Sequence, residues 1–81
     1  MGEDLEKYEI SEEVKARLDR NFLYHAPKDD QPARYEQIRS MARSVAYTLN
    51  TLCPGSRELS LAMTALEEAV FWANASIARN E

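Results

Sequence analysis

Three short stretches of this sequence hold the side chains with the widest chemical reach. The first is Tyr24-His25-Ala26-Pro27-Lys28, which contains the one histidine. The second is a ridge at four-residue spacing, Tyr35, Arg39, Arg43 and Tyr47. Guanidinium forks pair with phosphates two bonds at a time, and tyrosine faces stack on bases. The third is Ser56-Arg57, read as a helix start, where open N–H groups and the positive dipole end favour an anion. Capping fully explains Ser56. It does not explain Arg57, a cation at a positive helix end, which needs an anionic partner, either an acid of another chain or a phosphate. The blander reading of the ridge is a solvated flank of arginines with tyrosines at the core edge.

Covalent and acid–base chemistry find less support. A nucleophilic mechanism needs a base beside Ser or Cys, and nothing around His25 supplies that pairing. Cys53, the one cysteine, lies at the apolar end of a helix and reads as a small buried hydrophobe. Glu67 and Glu68 are adjacent, hence about 100° apart around a helix, and make a poor carboxylate dyad. One His and one Cys make a metal site improbable, and two glycines leave no phosphate-cradling loop. The expectation is a protein without catalytic residues, metal or cofactor.

A net charge of −4 argues against a polymeric nucleic-acid partner, whose binding depends on neutralising many phosphates. The charge is uneven. Met1 to Glu13 carries six acids against Lys7 alone, whereas Arg20 to Arg43 holds five bases against three acids. An acidic protein with one basic, Tyr- and His-containing segment suits a small anion, although solvated helix charges explain the same composition. The longest uncharged run, from Ser44 to Ser56, is broken by Asn50, Pro54 and Gly55 and spans no membrane. Met1 to Glu13 is acidic, unlike a signal peptide, and a lone cysteine fits a reducing cytoplasm.

Eighty-one residues with 44% hydrophobic content make one domain, near the size where a single core is marginal. The residue pattern predicts an all-α fold over 1–81. An acidic segment, 1–20, holds a short helix capped by Ser11, with Val14, Leu18 and Phe22 as its stripe. A loop follows, because Pro27 pushes Ala26 toward extended backbone. Hairpin helices are expected over 30–53 and 56–79. In the first, Asp29 or Asp30 caps, Pro32 sits in the opening turn, and Ile38, Met41, Ala42, Val45, Leu49 and Leu52 form one inward face. Pro54 and Gly55 end it. In the second, Leu59, Ala62, Met63, Leu66, Ala69, Val70, Ala73 and Ile77 face inward. A turn this short makes the pair antiparallel. Leu61, Ala65, Phe71 and Trp72 point away from the Leu66 stripe, so this helix is apolar nearly all round. The cover is expected to be a partner subunit; the alternative is a monomeric bundle in which the N-terminal segment folds over that face.

The run Tyr24-His25-x-Pro27-Lys28-x-x-Gln31-Pro32-x-Arg34-Tyr35-x-x-Ile38-Arg39, then Cys53-Pro54-x-Ser56-Arg57-Glu58, then Ser60-Leu61-Ala62-x-Thr64-x-Leu66-Glu67-Glu68-Ala69 and Trp72-Ala73-Asn74-Ala75-x-Ile77-Ala78-Arg79-Asn80-Glu81 resembles a known pattern. It is similar, over about residues 21–81, to the phage helical-hairpin domain shared by anti-CBASS cyclic-oligonucleotide sponges and anti-Thoeris sponges. The resemblance implies hexamers that bind and sequester immune signals in the host bacterial cytoplasm without cleaving them. It implies ligands among cyclic dinucleotides, cyclic trinucleotides and cyclic ADP-ribose isomers, held between subunits. Carried over, Tyr24, His25, Lys28 and Arg39 become ligand contacts, and Ser56, Arg57 and Thr64 become candidates for a second pocket. No β-rich region accompanies the hairpin, which favours the anti-CBASS branch. Two other classes stay open: a structural helical assembly module, and a regulator that docks the Trp72 face into a groove of a host protein.

Overall fold

The structure, a computed structural model, describes residues 7–81. The start of the acidic segment, with Glu3, Asp4 and Glu6, lies outside the described residues. The described chain is all-α: helix α1 over Glu12–Phe22, α2 over Gln31–Leu52 and α3 over Arg57–Asn80, with no strand among the described residues. None of these helices is long and apolar enough to cross a membrane.

Local chemistry sets the helix ends. Ser11 caps α1, its Oγ accepting from the Val14 N–H at 3.1 Å, with Glu12 and Glu13 in the positive first turn. Ser56 caps α3 in the same way, accepting from the Leu59 N–H at 3.1 Å. The expected side-chain cap on α2 is not made. Asp30 occupies the N-cap position, but its carboxylate turns to Arg34 instead, accepting from Nε at 3.2 Å. Asp29 before it adopts a left-handed φ of 52°, a region that Asp tolerates better than most residues. Pro32 sits in the first turn of α2, where its missing N–H leaves no bond unmade. At the other end, Pro54 holds Cys53 in extended geometry and stops the helix. Gly55 has no positive φ, and a Cβ there would meet open space, so Pro54 alone accounts for the break.

Helices α2 and α3 form the hairpin. Lys28, Gln31 and Arg34, around the start of α2, bond Glu81 at the end of α3, while Asn50 near the turn reaches the Met63 sulfur at 3.3 Å. The half-buried seam runs through Ile38, Ala42, Ala46 and Leu49 against Leu59, Ala62, Met63, Leu66, Val70, Ala73 and Ile77. This corrects the expected inward face of α2. Met41 (63% exposed), Val45 and Leu52 lie on the surface, and Ala46 takes the place in the seam. Met41 and Val45 each precede a seam residue, and one residue turns the helix by about 100°. Ala69 is exposed as well.

Helix α1 packs on α3 yet leaves Leu61 and Trp72 exposed, so the described part of the N-terminal segment does not cover the outer face. Among the described residues no hydrophobic side chain is fully buried, and the one buried residue is Gln31. A radius of gyration of 18.6 Å, against about 12 Å for a compact domain of this length, states the same fact globally.

Candidate functional site

The loop between α1 and α2 forms one wall of a polar pocket of about 470 Å³. Tyr24, His25, Ala26 and Lys28 supply that wall, and Gln31, Ala78, Arg79 and Glu81 supply the other. His25 Nε2 lies 2.7 Å from the Arg20 carbonyl. A carbonyl can only accept, so Nε2 carries the hydrogen. The other nitrogen, Nδ1, accepts when the ring is neutral and donates when it is protonated. Tyr24 is largely exposed, which leaves its ring face open to stacking. Lys28 Nζ donates to the Glu81 main-chain oxygen at 3.0 Å. The pocket therefore combines an aromatic face, an imidazole, two cations, Lys28 and Arg79, and the Glu81 carboxylate.

Beneath it lies a hydrogen-bonded cluster. Gln31 uses both arms of its amide, accepting from the Lys28 N–H at 3.1 Å and donating to Glu81 Oε1 at 3.1 Å. Arg34 grips the same carboxylate with both guanidinium amines, one of them 2.8 Å from Oε2. Hydrogen bonds from Arg34 and then Gln31 hold the Glu81 carboxyl down at about 2, and the bond to Glu81 keeps the Arg34 guanidinium firmly charged.

Arg39 does not join this pocket. It lines a shallow, mostly apolar groove of about 320 Å³ with Ala42, Arg43, Ala46, Leu66, Glu67, Val70 and Phe71. The ridge anticipated from spacing is present in part: the Arg43 guanidinium stands 4.7 Å over the Tyr47 ring and donates to its hydroxyl at 3.2 Å. Phe71 belongs to this groove and Trp72 to another flank, where the Arg79 guanidinium sits 5.9 Å from its ring. Leu61 and Ala65 share the Trp72 flank by helical spacing.

Ser56 lines a third concavity of about 400 Å³ at the turn, with Leu49, Cys53, Pro54, Glu58, Leu59 and Ala62. Arg57 and Thr64 are exposed on α3, and Arg57 makes no ion pair among the described residues. Cys53 is exposed at the C-cap of α2, against the expectation of a buried hydrophobe. The sequence-predicted residues thus divide into a loop pocket, a mid-hairpin groove and the turn region. Gln31, Arg34, Arg79 and Glu81 had no role assigned from sequence. Gln31 alone carried a signal, standing seven residues before Ile38 and therefore on the seam face.

The family model for the Acb2/Tad1 hairpin domain matches residues 14–78. The chain belongs to the Acb2/Tad1 hairpin family. This is the anti-CBASS and anti-Thoeris sponge family anticipated from the residue pattern, and it is known for binding cyclic oligonucleotides. It is a family of sponge-type hairpins and not a known enzyme family. The match begins earlier than the expected residue 21, taking in most of α1, and stops short of Arg79 and Glu81. No curated protein and no solved structure matches the chain.

Proposed function

We propose that this protein binds and sequesters cyclic oligonucleotide signals of bacterial antiphage immunity without degrading them, and so keeps CBASS effectors inactive in the host cytoplasm. The observation that carries this reading is the loop pocket of Tyr24, His25 and Lys28 on a chain of the Acb2/Tad1 hairpin family. A cyclic dinucleotide offers phosphates to Lys28 and Arg79 and a base to the Tyr24 face, with His25 Nδ1 reading a base edge or a phosphate. Capture needs affinity and no bond breaking, so the site requires no general base poised at a phosphorus.

The working form is a homo-oligomer of antiparallel hairpins, a hexamer by family resemblance. Each concavity on one chain is open, and a neighbouring subunit closes it. Leu61, Ala65 and Trp72 then lie at subunit contacts, and Phe71 lies where Arg39 meets the ligand or a neighbour. Ser56, Arg57 and Thr64 form a second pocket at subunit junctions, suited to a cyclic trinucleotide. Arg57 supports this assignment, since a cation at a helix start gains from an anion placed against it.

The test is capture followed by release. Purified protein is mixed with cyclic dinucleotides and trinucleotides, washed and denatured, and the released small molecules are weighed by mass spectrometry. Stoichiometric recovery of the intact ring is the expected result. Linearised product accumulating with turnover would identify an enzyme instead, and no retention of any cyclic nucleotide would leave a structural assembly module.

A further inference from the structure

We infer that Glu81 is a positioning residue, which holds the Leu23–Asp30 loop against the end of α3 and so sets Lys28 in the Tyr24–His25–Lys28 pocket. This rests on the reading of that pocket as a ligand site. Among the described residues, the loop's hydrogen bonds on its α1 side run only to its own helix, from the Leu23 N–H to the Asp19 carbonyl at 3.0 Å and from His25 to the Arg20 carbonyl. On its α2 side, the Gln31 N–H donates to the Lys28 carbonyl at 2.9 Å. Neither tie places the loop over α3. Among the described residues, the hydrogen bonds that cross from the loop and the start of α2 to the end of α3 all finish on Glu81.

The cluster is built in layers. Gln31, 4% exposed, is the most enclosed residue described, and its amide couples the Lys28 N–H to the Glu81 carboxylate. Arg34 does not line the pocket, yet its fork fixes the carboxylate plane, and Asp30 steadies Arg34 from the other side. A single exposed ion pair contributes little. Here several donors converge on one carboxylate beside a buried amide, an arrangement in which the bonds support one another. The main-chain oxygen of Glu81 then receives the Lys28 ammonium, so a long, flexible side chain is parked at the pocket wall before a ligand arrives.

The experiment compares the full chain with Glu81→Ala and with Arg34→Met, a variant outside the pocket lining. The first measurement needs no ligand. Amide exchange at Lys28 and Gln31 should speed up by about tenfold in both variants, the usual scale for losing a charge-assisted contact, while Leu66 and Val70 keep their protection. Unchanged exchange at Lys28 overturns the inference whatever any ligand does. The second is calorimetry with cyclic di-AMP and cyclic GMP–AMP, alone and in a Lys28→Met background. Both variants should weaken binding by about tenfold where Lys28 is present and add nothing where it is Met. An equal loss in the Lys28→Met background shows general loosening and overturns positioning through Lys28. If the unaltered chain takes up neither probe, the ligand reading falls, and the exchange result still decides what Glu81 does.

Discussion

Lys28 joins two parts of the molecule, its N–H bound to Gln31 and its ammonium to Glu81. Replacing it with Met keeps the aliphatic stem and removes the charge. Lys28→Met should weaken a cyclic dinucleotide by about 1.5–3 kcal/mol in calorimetry, with helicity unchanged. Glu81 adds a pH signature. Its carboxyl sits at about 2 where the ordinary value is 4.5, because Arg34 and Gln31 hydrogen-bond the charged form. A depressed carboxylate stabilises the fold above its unfolded value, and that support is lost as pH falls through the folded value. The difference in Tm between the unaltered chain and Glu81→Ala should therefore be full at neutral pH, shrink below 4.5 and vanish only below about 2. Salt should narrow it, since the pair is exposed. The loop pocket was legible in the sequence because Tyr24, His25 and Lys28 are neighbours along the chain. Glu81 was not, because its partners stand 47 to 53 residues away and only the closed hairpin brings them together.

At the scale of helices, recurrence at three and four residues, together with Ser11 and Ser56 as caps, made three helices readable. What it could not decide was which of two overlapping stripes on α2 meets α3. The expected face mixed both, joining Met41, Val45 and Leu52 to Ile38, Ala42 and Leu49; the seam keeps the second set and adds Ala46. The first set is left outside, as are Leu61, Phe71 (66%) and Trp72 (62%) on α3. Covering an aromatic side chain of this size contributes roughly 2–4 kcal/mol at the usual area coefficient. Trp72→Glu reverses that gain by placing a charge in the covered face. Light scattering of Trp72→Glu should show species smaller than the parent assembly. A parent chain that already runs at 9.3 kDa at micromolar concentration would remove this cover and the shared pockets with it.

The molecule measures 55 × 35 × 20 Å, an elongated shape for so short a chain. Small domains bury a low fraction of their surface, and this one, among its described residues, has no fully buried hydrophobic side chain. In the oligomer proposed above, stability comes largely from association, and association makes stability depend on how much chain is present. The Tm should rise steadily as protein concentration increases and should rise further with ligand; a Tm independent of concentration would mean the hairpin stands alone. For the proposed oligomer, the lack of a buried core among the described residues would also shape dosage in a cell. Single chains of such an assembly would spend much of their time open to proteases, and only those that met enough partners would survive. Functional pockets would then accumulate as a steep power of the number of chains made. Below a threshold of synthesis almost nothing would be captured, and above it capture would switch on sharply.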